Sequence, residues 1–261
     1  MTTMDVIIAL CCQVDDHMPG LPKPPQATLW PSEVVTWGIL HALKGVGTRA
    51  FDRWLARDYR PLFPHVPERT RLVRRFTTPQ DWTQPCLAAP TLLGVIDTYG
   101  IELIHPLREG RRFQQIGRKG LSTHRWLVGG QRCLRLNRFG LVVGWDGATA
   151  HGPDSTFQPR IRLFDERMII LGDPAFQAAE GDPAHLKRCQ RGAWNDRRRI
   201  ETVLSRLTLV SHFKKMMPRV WEYFQARLAF TMAACNVLAQ WDGLPIDEHG
   251  FVSLSIAEFS L

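Results

Sequence analysis

The sequence predicts an α/β protein in which a mixed sheet flanked by helices follows a small N-terminal helical region. Three observations lead to this fold class. Apolar residues recur with a helical period between residues 31 and 76, short apolar runs typical of strands follow from residue 90, and helical stripes return after residue 197. Helices, antiparallel strands, a crossover to a further strand and final helices form an order typical of an α/β layout.

The N-terminal region shows three helical segments. Residues 31–45 have Pro at a suitable first-turn position and Gly at the end, and residues 48–59 and 69–76 each carry an apolar face. The third segment is rich in arginine, with Arg69, Arg71, Arg74 and Arg75. The pattern leaves open whether these helices contact DNA or pack only for stability.

Strand patterns follow the helices. The runs 92–97 and 101–105 predict two strands separated by a tight Thr-Tyr-Gly turn, and the turn at 137–140 predicts a β-hairpin. Residues 168–171 predict another buried strand, after a helix or loop that lies on one face of the sheet. Two long helices complete the chain up to residue 240.

The composition is that of a folded, basic protein. The 261 residues are 44% hydrophobic and 22% charged, which excludes a disordered or collagen-like chain. The formal net charge of +8 favours nucleic acid as a partner. Because no apolar run is long enough for a transmembrane helix and the opening segment lacks the basic start of a secretory signal, we expect a cytoplasmic protein with no membrane partner.

The six cysteines are dispersed along the chain, and none forms a Cys-x-x-Cys pair. A chain of this length does not need disulfides to stabilise its core. We therefore expect reduced thiols that pack as small apolar groups, and neither a disulfide framework nor a structural zinc site.

Three acidic residues occupy unusual positions. Asp97 and Asp173 each end an apolar strand, and Glu201 lies beside the apolar stripe of a helix. An ionised carboxylate at a buried strand end is costly unless a positive charge compensates it, and Mg²⁺ prefers carboxylate and water oxygens. Two such strands side by side would direct Asp97 and Asp173 to one site, and a helix packed across that end would add Glu201.

Each of these acids also has an ordinary structural explanation. Asp97 is explained by a strand-end turn, Asp173 by an Asp-Pro turn, and Glu201 by an ion pair with Arg197. Asp146 and Asp154 compete as the second metal ligand. We expect both to be turn formers, with Asp146 at the opposite end of the sheet from Asp97.

The residues around the three acids resemble those of DDE transposases of bacterial insertion sequences. LLGVIDTYGIELIH resembles the first catalytic strand, and MIILGDPAF resembles the strand of the second aspartate. The family signature Tyr-x2-Arg-x3-Glu-x6-Lys is similar to Trp194-x2-Arg197-x3-Glu201-x6-Thr208, in which Trp replaces Tyr and Thr replaces Lys. We expect Arg206 or Lys214, which are nearby in the sequence, to make the phosphate contact of the missing lysine. The resemblance covers about residues 30–240.

The resemblance implies an RNase-H-like catalytic core. It implies that Asp97, Asp173 and Glu201 bind two Mg²⁺ or Mn²⁺ ions, which serve cleavage of element ends and joining of the 3′-hydroxyls to target DNA. The implied partner is double-stranded DNA, terminal inverted repeats and target, bound by a homodimer in the bacterial cytoplasm and nucleoid. A catalytically inactive DNA-binding descendant and a stand-alone RNase-H-like endonuclease are the alternatives.

Two basic runs flank the predicted metal site, and we expect them to contact DNA phosphates. The first comprises Arg108, Arg111, Arg112, Arg118, Lys119, Arg125, Arg132, Arg135 and Arg138, and the second comprises Lys187, Arg188, Arg191, Arg197, Arg198 and Arg199. The predicted DNA-binding residues are Arg197, Trp194, Arg198, Arg206, Lys214, Arg118, Lys119 and Arg125. The predicted domains are a helical DNA-binding domain (1–88), a catalytic domain (89–240) and a C-terminal tail (241–261).

Overall fold

The computed structural model describes residues 2–77, 80–105, 107, 109–110, 117–122, 125–162, 168–177, 181–189, 197–212, 220–241 and 243–244. Its α-helices are α1 (Thr3–His17), α2 (Pro31–Lys44), α3 (Thr48–Asp58), α4 (Arg69–Thr77), α5 (Gln158–Arg162), α6 (Arg197–Val210) and α7 (Trp221–Ala239). Its strands are β1 (Leu93–Ile104), β2 (Arg118–Ser122), β3 (Arg125–Asn137), β4 (Val142–Thr149), β5 (Ile169–Gly172) and β6 (Leu186–Arg188). Short 3₁₀ turns cover Gln80–Cys86, Asp154–Phe157 and Pro174–Phe176. None of the described helices is long and apolar enough to cross a membrane.

The three predicted N-terminal helices are confirmed as α2, α3 and α4. Pro31 opens α2, Glu33 accepts a hydrogen bond from the N–H of Trp30 at 2.7 Å, and Gly45 ends the helix with φ of +66°. A side chain at position 45 would be strained in this left-handed conformation, which explains the glycine. The sequence pattern did not predict α1, which a capping box between Thr2 and Asp5 begins.

The strands form one mixed sheet, which confirms the predicted α/β class. β1 pairs antiparallel with β3 and parallel with β5, and β6 pairs parallel with β5. The outer edge of β3 pairs antiparallel with β2 along its first half and with β4 along its second half. β1 therefore lies between the antiparallel and the parallel parts of the sheet.

The predicted turn at Thr98–Gly100 is wrong, because β1 is one continuous strand. Thr98, Tyr99 and Gly100 pair with Cys133, Arg132 and Gln131 of β3 without interruption. Thr and Tyr are favourable strand residues, and a glycine is tolerated where a neighbouring strand supplies the pairing. Long-range pairing thus overrode the local turn signal.

The predicted hairpin between β3 and β4 is confirmed. Asn137 closes it, since its N–H donates to the Leu141 carbonyl at 2.9 Å and Gly140 adopts a φ of +77°. The predicted strand at 168–171 is confirmed as β5, and the predicted helices beyond residue 197 are confirmed as α6 and α7. β2 and β6 were not predicted, because these short segments lack an alternating apolar pattern and depend on pairing with β3 and β5.

The sheet buries a different helix on each face. On one side, here called the α6 face, Val95 and Leu134 share an apolar cluster with Ile200 of α6 and Phe224 of α7. On the other side, the α5 face, Ile96 and Cys133 share a cluster with Ile161 of α5. Because side chains alternate along a strand, the face of each residue in β1 follows from these neighbours.

α7 also packs into the N-terminal helices. The ring of Phe230 lies where a Cβ at Gly38 of α2 would be, and a single apolar cluster joins residues of α1–α4 to α7. Asn236 of α7 donates to the carbonyls of Cys86 and Val142, at 3.0 and 2.7 Å. α7 therefore contributes to the core of the sheet and to the core of helices α1–α4, which are here called the helical layer. The predicted domain boundary at residue 88 stays a prediction.

Candidate active site

The register of the parallel strands directs Asp97 and Asp173 to the same end of β5. Leu93, Gly94 and Val95 of β1 pair with Ile169, Ile170 and Leu171 of β5. Asp97 and Asp173 each follow the last of these pairs by two residues, and β5 itself ends at Gly172. Neighbouring strands lie about 5 Å apart, so the two carboxylates begin from backbone positions that one cation can bridge.

Local hydrogen bonds orient both carboxylates. The N–H of Thr98 donates to Asp97 Oδ1 at 2.8 Å, and the N–H of Ala175 donates to Asp173 Oδ1 at 3.0 Å. Asp173 caps the 3₁₀ turn that follows β5, and both aspartates are half-buried. The Asp-Pro turn function considered for Asp173 is therefore real, and it leaves the second carboxylate oxygen outside this hydrogen bond.

Glu201 lies on α6, which covers the face of the sheet to which Asp97 belongs. Asp97 follows Val95 by two residues and so shares the α6 face, and Ile200 is buried in the same cluster. Glu201 itself is exposed beside the apolar stripe. Thr208, at the signature's lysine position, lies two turns further on the same side, and its hydroxyl donates to the Leu204 carbonyl at 2.8 Å.

The structure does not gather the three predicted acids into one metal-binding group. Across the ranges that the structure describes, which include Asp97, Asp173 and Glu201, no set of three or more His, Cys, Asp or Glu side chains is arranged to hold an ion. The sheet register thus associates the two aspartates, while the position of Glu201 depends on how α6 packs.

The expectation that Asp146 lies at the opposite end of the sheet is wrong. Asp146 pairs with Cys133 of β3, and Cys133 pairs with Thr98 of β1, so Asp146 lies two strands from Thr98 at the same level. It belongs to the α5 face with Cys133 and forms an ion pair with Arg160, with 2.9 Å between Nε and Oδ2. In the β3–β4 hairpin, the register places Asp146 of β4 close to the level of Asp97, and this register was not predicted from the sequence.

Asp154 lies much closer to the two aspartates than its turn-forming position implied. Its Oδ1 accepts hydrogen bonds from the hydroxyl of Thr98 at 3.0 Å and from the amide of Gln131. Burial raises the pKa of Asp154, the hydrogen bonds from Thr98 and Gln131 lower it, and the charge of Asp173 raises it. This interaction places Asp154 within electrostatic range of the candidate site.

The predicted DNA-binding residues fall into three groups. Arg118 and Lys119 are exposed on β2, and Lys119 Nζ lies 5.4 Å from the ring centroid of Trp126 and 3.8 Å from Glu109. Trp194 and Lys214 lie outside the described residues. For Arg125, Arg197, Arg198 and Arg206 the structure describes the backbone, within β3 and α6, and their side-chain positions lie outside what it describes.

Two arginines of the first basic run do not lie on a basic surface. Arg132 is fully buried and Arg135 nearly so, on opposite faces of β3. The guanidinium of Arg132 lies 4.6 Å from the ring centroid of Phe224. Burial lowers the pKa of both arginines. Arg132 and Arg135 are therefore part of the buried interior on the two faces of β3, which lies between β1 and β4.

A row of arginines on α3 was not identified from the sequence. Arg49, Arg53 and Arg57 are exposed at four-residue spacing, which places them on one side of the helix. Arg57 is paired with Asp58, with 2.6 Å between Nε and Oδ1. The signal was present in the sequence as an arginine every fourth residue opposite the buried Phe51 and Leu55.

Exposed apolar side chains at the edge of the sheet were also not identified. Trp126 and Leu121 are 57% and 66% exposed and directly oppose each other on β3 and β2. The sequence around Leu121 and Trp126 did not indicate that these apolar side chains are exposed on β2 and β3. Beside Lys119, this aromatic surface has the chemistry that stacks on nucleobases.

All six cysteines lie within the described residues and none of them is in a disulfide; Cys86, Cys133, Cys189 and Cys235 are buried. Burial raises the pKa of Cys86 to about 12 and raises that of Cys133 as well. The thiols of Cys86 and Cys133 therefore stay protonated at neutral pH and are poor nucleophiles.

No protein-family model and no curated protein matches this chain.

Proposed function

We propose that this chain is a divalent-metal-dependent DNA transposase of the DDE type, with Asp97 and Asp173 at its catalytic centre. The observation that carries the proposal is the β1–β5 register, which aligns two aspartates that lie far apart in the sequence. The placement of β1 between antiparallel and parallel strands supports the RNase-H-like core that the sequence resemblance implies. Asp173 directly follows the end of β5, Asp97 lies inside β1, and the half-burial of both acids fits a cation-binding role.

The residues present fit a magnesium or manganese ion. Two neighbouring carboxylates are the number that Mg²⁺ usually takes from a protein, with water completing its coordination. Asp97 and Asp173 would hold the ion, and Thr98 and Ala175 orient them through their backbone N–H groups. When bound, a divalent ion supplies the positive charge that phosphodiester cleavage requires. A second ion requires Glu201, which the resemblance implies as the third acid.

Basic helices support DNA as the substrate. α2 and α3 are joined by the short Gly-Val-Gly segment 45–47, and α3 presents Arg49 and Arg53 to solvent. α4 adds exposed Arg69, Arg71 and Arg74 beside it. A short helix with arginines on its exposed side fits a DNA groove, and arginine neutralises phosphates. Arg118 and Lys119 form a second exposed basic pair, on β2 of the sheet.

The test is metal-dependent cleavage of a supercoiled plasmid that carries the DNA flanking this gene. We expect nicking and joined products with Mg²⁺ or Mn²⁺, and a loss of more than about 100-fold for Asp97→Asn and for Asp173→Asn. Asp146→Asn is the matched control, since Asp146 lies at the same level of the sheet on the other face. Unchanged cleavage by Asp97→Asn would refute the assignment.

A DNA-binding protein without cleavage activity is the second candidate. The absence of a three-carboxylate group among the described residues favours it, as do Thr208 and Trp194 at the signature's Lys and Tyr positions. Binding of the same DNA with no metal-dependent nicking in the wild type would support this candidate. Nicking without joined products would instead support a stand-alone nuclease.

The two aspartates and Glu201 are separable by ion binding in the absence of DNA. Because the sheet aligns only the aspartates, we expect Asp97→Asn to weaken Mn²⁺ binding at least 10-fold and Glu201→Gln to leave it unchanged. Electron paramagnetic resonance of free Mn²⁺ measures this. Equal weakening by both changes would show that Glu201 already belongs to the site.

A further inference from the structure

Asp154 is connected to Asp97 by a chain of hydrogen bonds. Thr98 donates twice: its hydroxyl to Asp154 Oδ1 at 3.0 Å, and its backbone N–H to Asp97 Oδ1 at 2.8 Å. Gln131 of β3 donates its side-chain amide to the same oxygen of Asp154. Thr98 therefore joins two carboxylates that lie on opposite faces of β1.

Thr98, Gln131 and Asp154 line a cleft on the α5 face, which has a volume of about 300 Å³. The side-chain oxygen of Gln131 is buried there and accepts no hydrogen bond. This leaves Gln131 oriented by its donor side alone, through Asp154. The network is thus built around Asp154 as the common acceptor.

The network lies at the level where β1 loses one of its two neighbouring strands. β5 ends at Gly172, so beyond this level β1 loses its parallel neighbour. The Thr98 side chain is the first on β1 past that point to face the α5 side, and Asp154 fixes it from the turn that precedes α5. An acceptor at this place limits rotation of the residue whose N–H holds the Asp97 carboxylate.

We propose that Asp154 is a positioning residue, which holds Asp97 in its ligand orientation through the hydroxyl and the N–H of Thr98. The proposal rests on the proposed function of Asp97. Asp154 does not touch the substrate in this scheme, and it acts only as a hydrogen-bond acceptor. For this role, the negative charge of Asp154 is therefore less important than the ability of Oδ1 to accept a hydrogen bond.

Two pairs of variants test this role. Asp154→Ala removes the carboxylate acceptor. Thr98→Val removes the hydroxyl donor and keeps the shape of the side chain. We expect each to lower plasmid cleavage about 10- to 100-fold, the range typical of residues that orient metal ligands. Asp154→Asn and Thr98→Ser retain the acceptor and the hydroxyl, so we expect them to restore most of the activity.

The double variant shows whether the two residues act as a unit. Because both changes break the same hydrogen bond, Asp154→Ala combined with Thr98→Val should lose little more than either single variant. Asp146→Ala is the matched control: its ion pair with Arg160 does not involve Thr98, and we expect its effect to be small and additive with Thr98→Val. Mn²⁺ affinity of the DNA-free variants should follow the same order as cleavage.

The outcomes separate this inference from the proposed function. A wild type that neither cleaves DNA nor binds Mn²⁺ overturns both. A wild type that is active, with Asp154→Ala or Thr98→Val equally active, overturns the positioning role alone. If Asp154→Asn is as inactive as Asp154→Ala, Asp154 acts through its charge, which also overturns the role proposed here. Should Asp154→Ala fail to fold, the Thr98 pair still decides.

Discussion

The helical layer and the sheet bury ionisable groups for different purposes. In the helical layer, His41 and Arg227 bond to backbone carbonyls at the end of α2: His41 Nε2 donates to Val46 at 3.0 Å, and Arg227 donates to Ala42 at 3.1 Å. In the sheet, Asp154 instead bonds to the side chains of Thr98 and Gln131 beside an open cleft. A helix end with unsatisfied carbonyls explains the hydrogen bonds of His41 Nε2 and Arg227 Nη2.

This comparison teaches that a shifted pKa alone does not mark a functional residue. Burial lowers the pKa of His41 to about 3, with Arg227 as a further cause, and burial lowers that of Arg227 to about 10. His41 packs against the rings of Phe51 and Phe76, and Arg227 is buried on α7. What distinguishes Asp154 is its contact with polar side chains next to other carboxylates.

The largest effect on stability should come from Asn236, which joins the two regions. Its side chain donates to the carbonyls of Cys86 and Val142 and accepts from the N–H of Val142 at 2.7 Å. Asn236→Ala leaves these buried backbone groups without partners, so we expect a loss of about 3 kcal/mol in the free energy of unfolding. Denaturant titration measures it.

Glu222→Ala, an exposed change on the same helix, is the control and should alter stability by less than about 0.5 kcal/mol. If Asn236→Ala changed the free energy of unfolding as little as Glu222→Ala, Asn236 would not couple the helical layer to the sheet.

The pH dependence of stability should report the buried state of His41. Its folded pKa of about 3 lies below the ordinary 6.5, so the unfolded chain binds a proton that the folded protein excludes. The stabilising contribution of the neutral imidazole is complete above pH 6.5 and is lost as the pH falls toward 3. We expect its slope to reach at most about 1.4 kcal/mol per pH unit. Unfolding titrations at several pH values between 7.5 and 5 measure it.

His41→Phe removes this titration, so its stability should vary less with pH than that of the wild type. The exposed His65, changed to Gln, should leave the slope as it is. A slope that is identical in the wild type and His41→Phe would contradict the structural assignment of the histidine.

The smallest effects should come from the exposed arginines of the helical layer, the counterpart of buried Arg227. If α3 lies on DNA, Arg49→Ala and Arg53→Ala should each reduce the salt-dependence slope of binding by about 1. Arg57→Ala should reduce it less, because Asp58 already neutralises Arg57. Fluorescence anisotropy at several salt concentrations measures these slopes, and three unchanged slopes would exclude α3 from the DNA-binding surface.

The sequence by itself determined the local elements and the candidate acids. The helices α2, α3, α4, α6 and α7, the β3–β4 hairpin and β5 follow from periodicity, Pro and Gly, and these signals act within a few residues of one another. Asp97 and Asp173 were identifiable because a carboxylate at the end of an apolar run has an obvious cost, although Asp97 lies inside the continuous strand β1 and only Asp173 follows a strand end.

Only the tertiary structure decided how these parts meet. The continuity of β1 through Thr98–Gly100 depends on β3, the level of Asp146 depends on the hairpin register, and the contact between Asp154 and Thr98 joins residues 56 positions apart. The burial of Arg132 and the exposure of Trp126 likewise depend on which helix covers which part of β3. Pairing and burial are set by partners distant in the chain, and a local sequence pattern carries no information about the distance or the face at which such partners arrive.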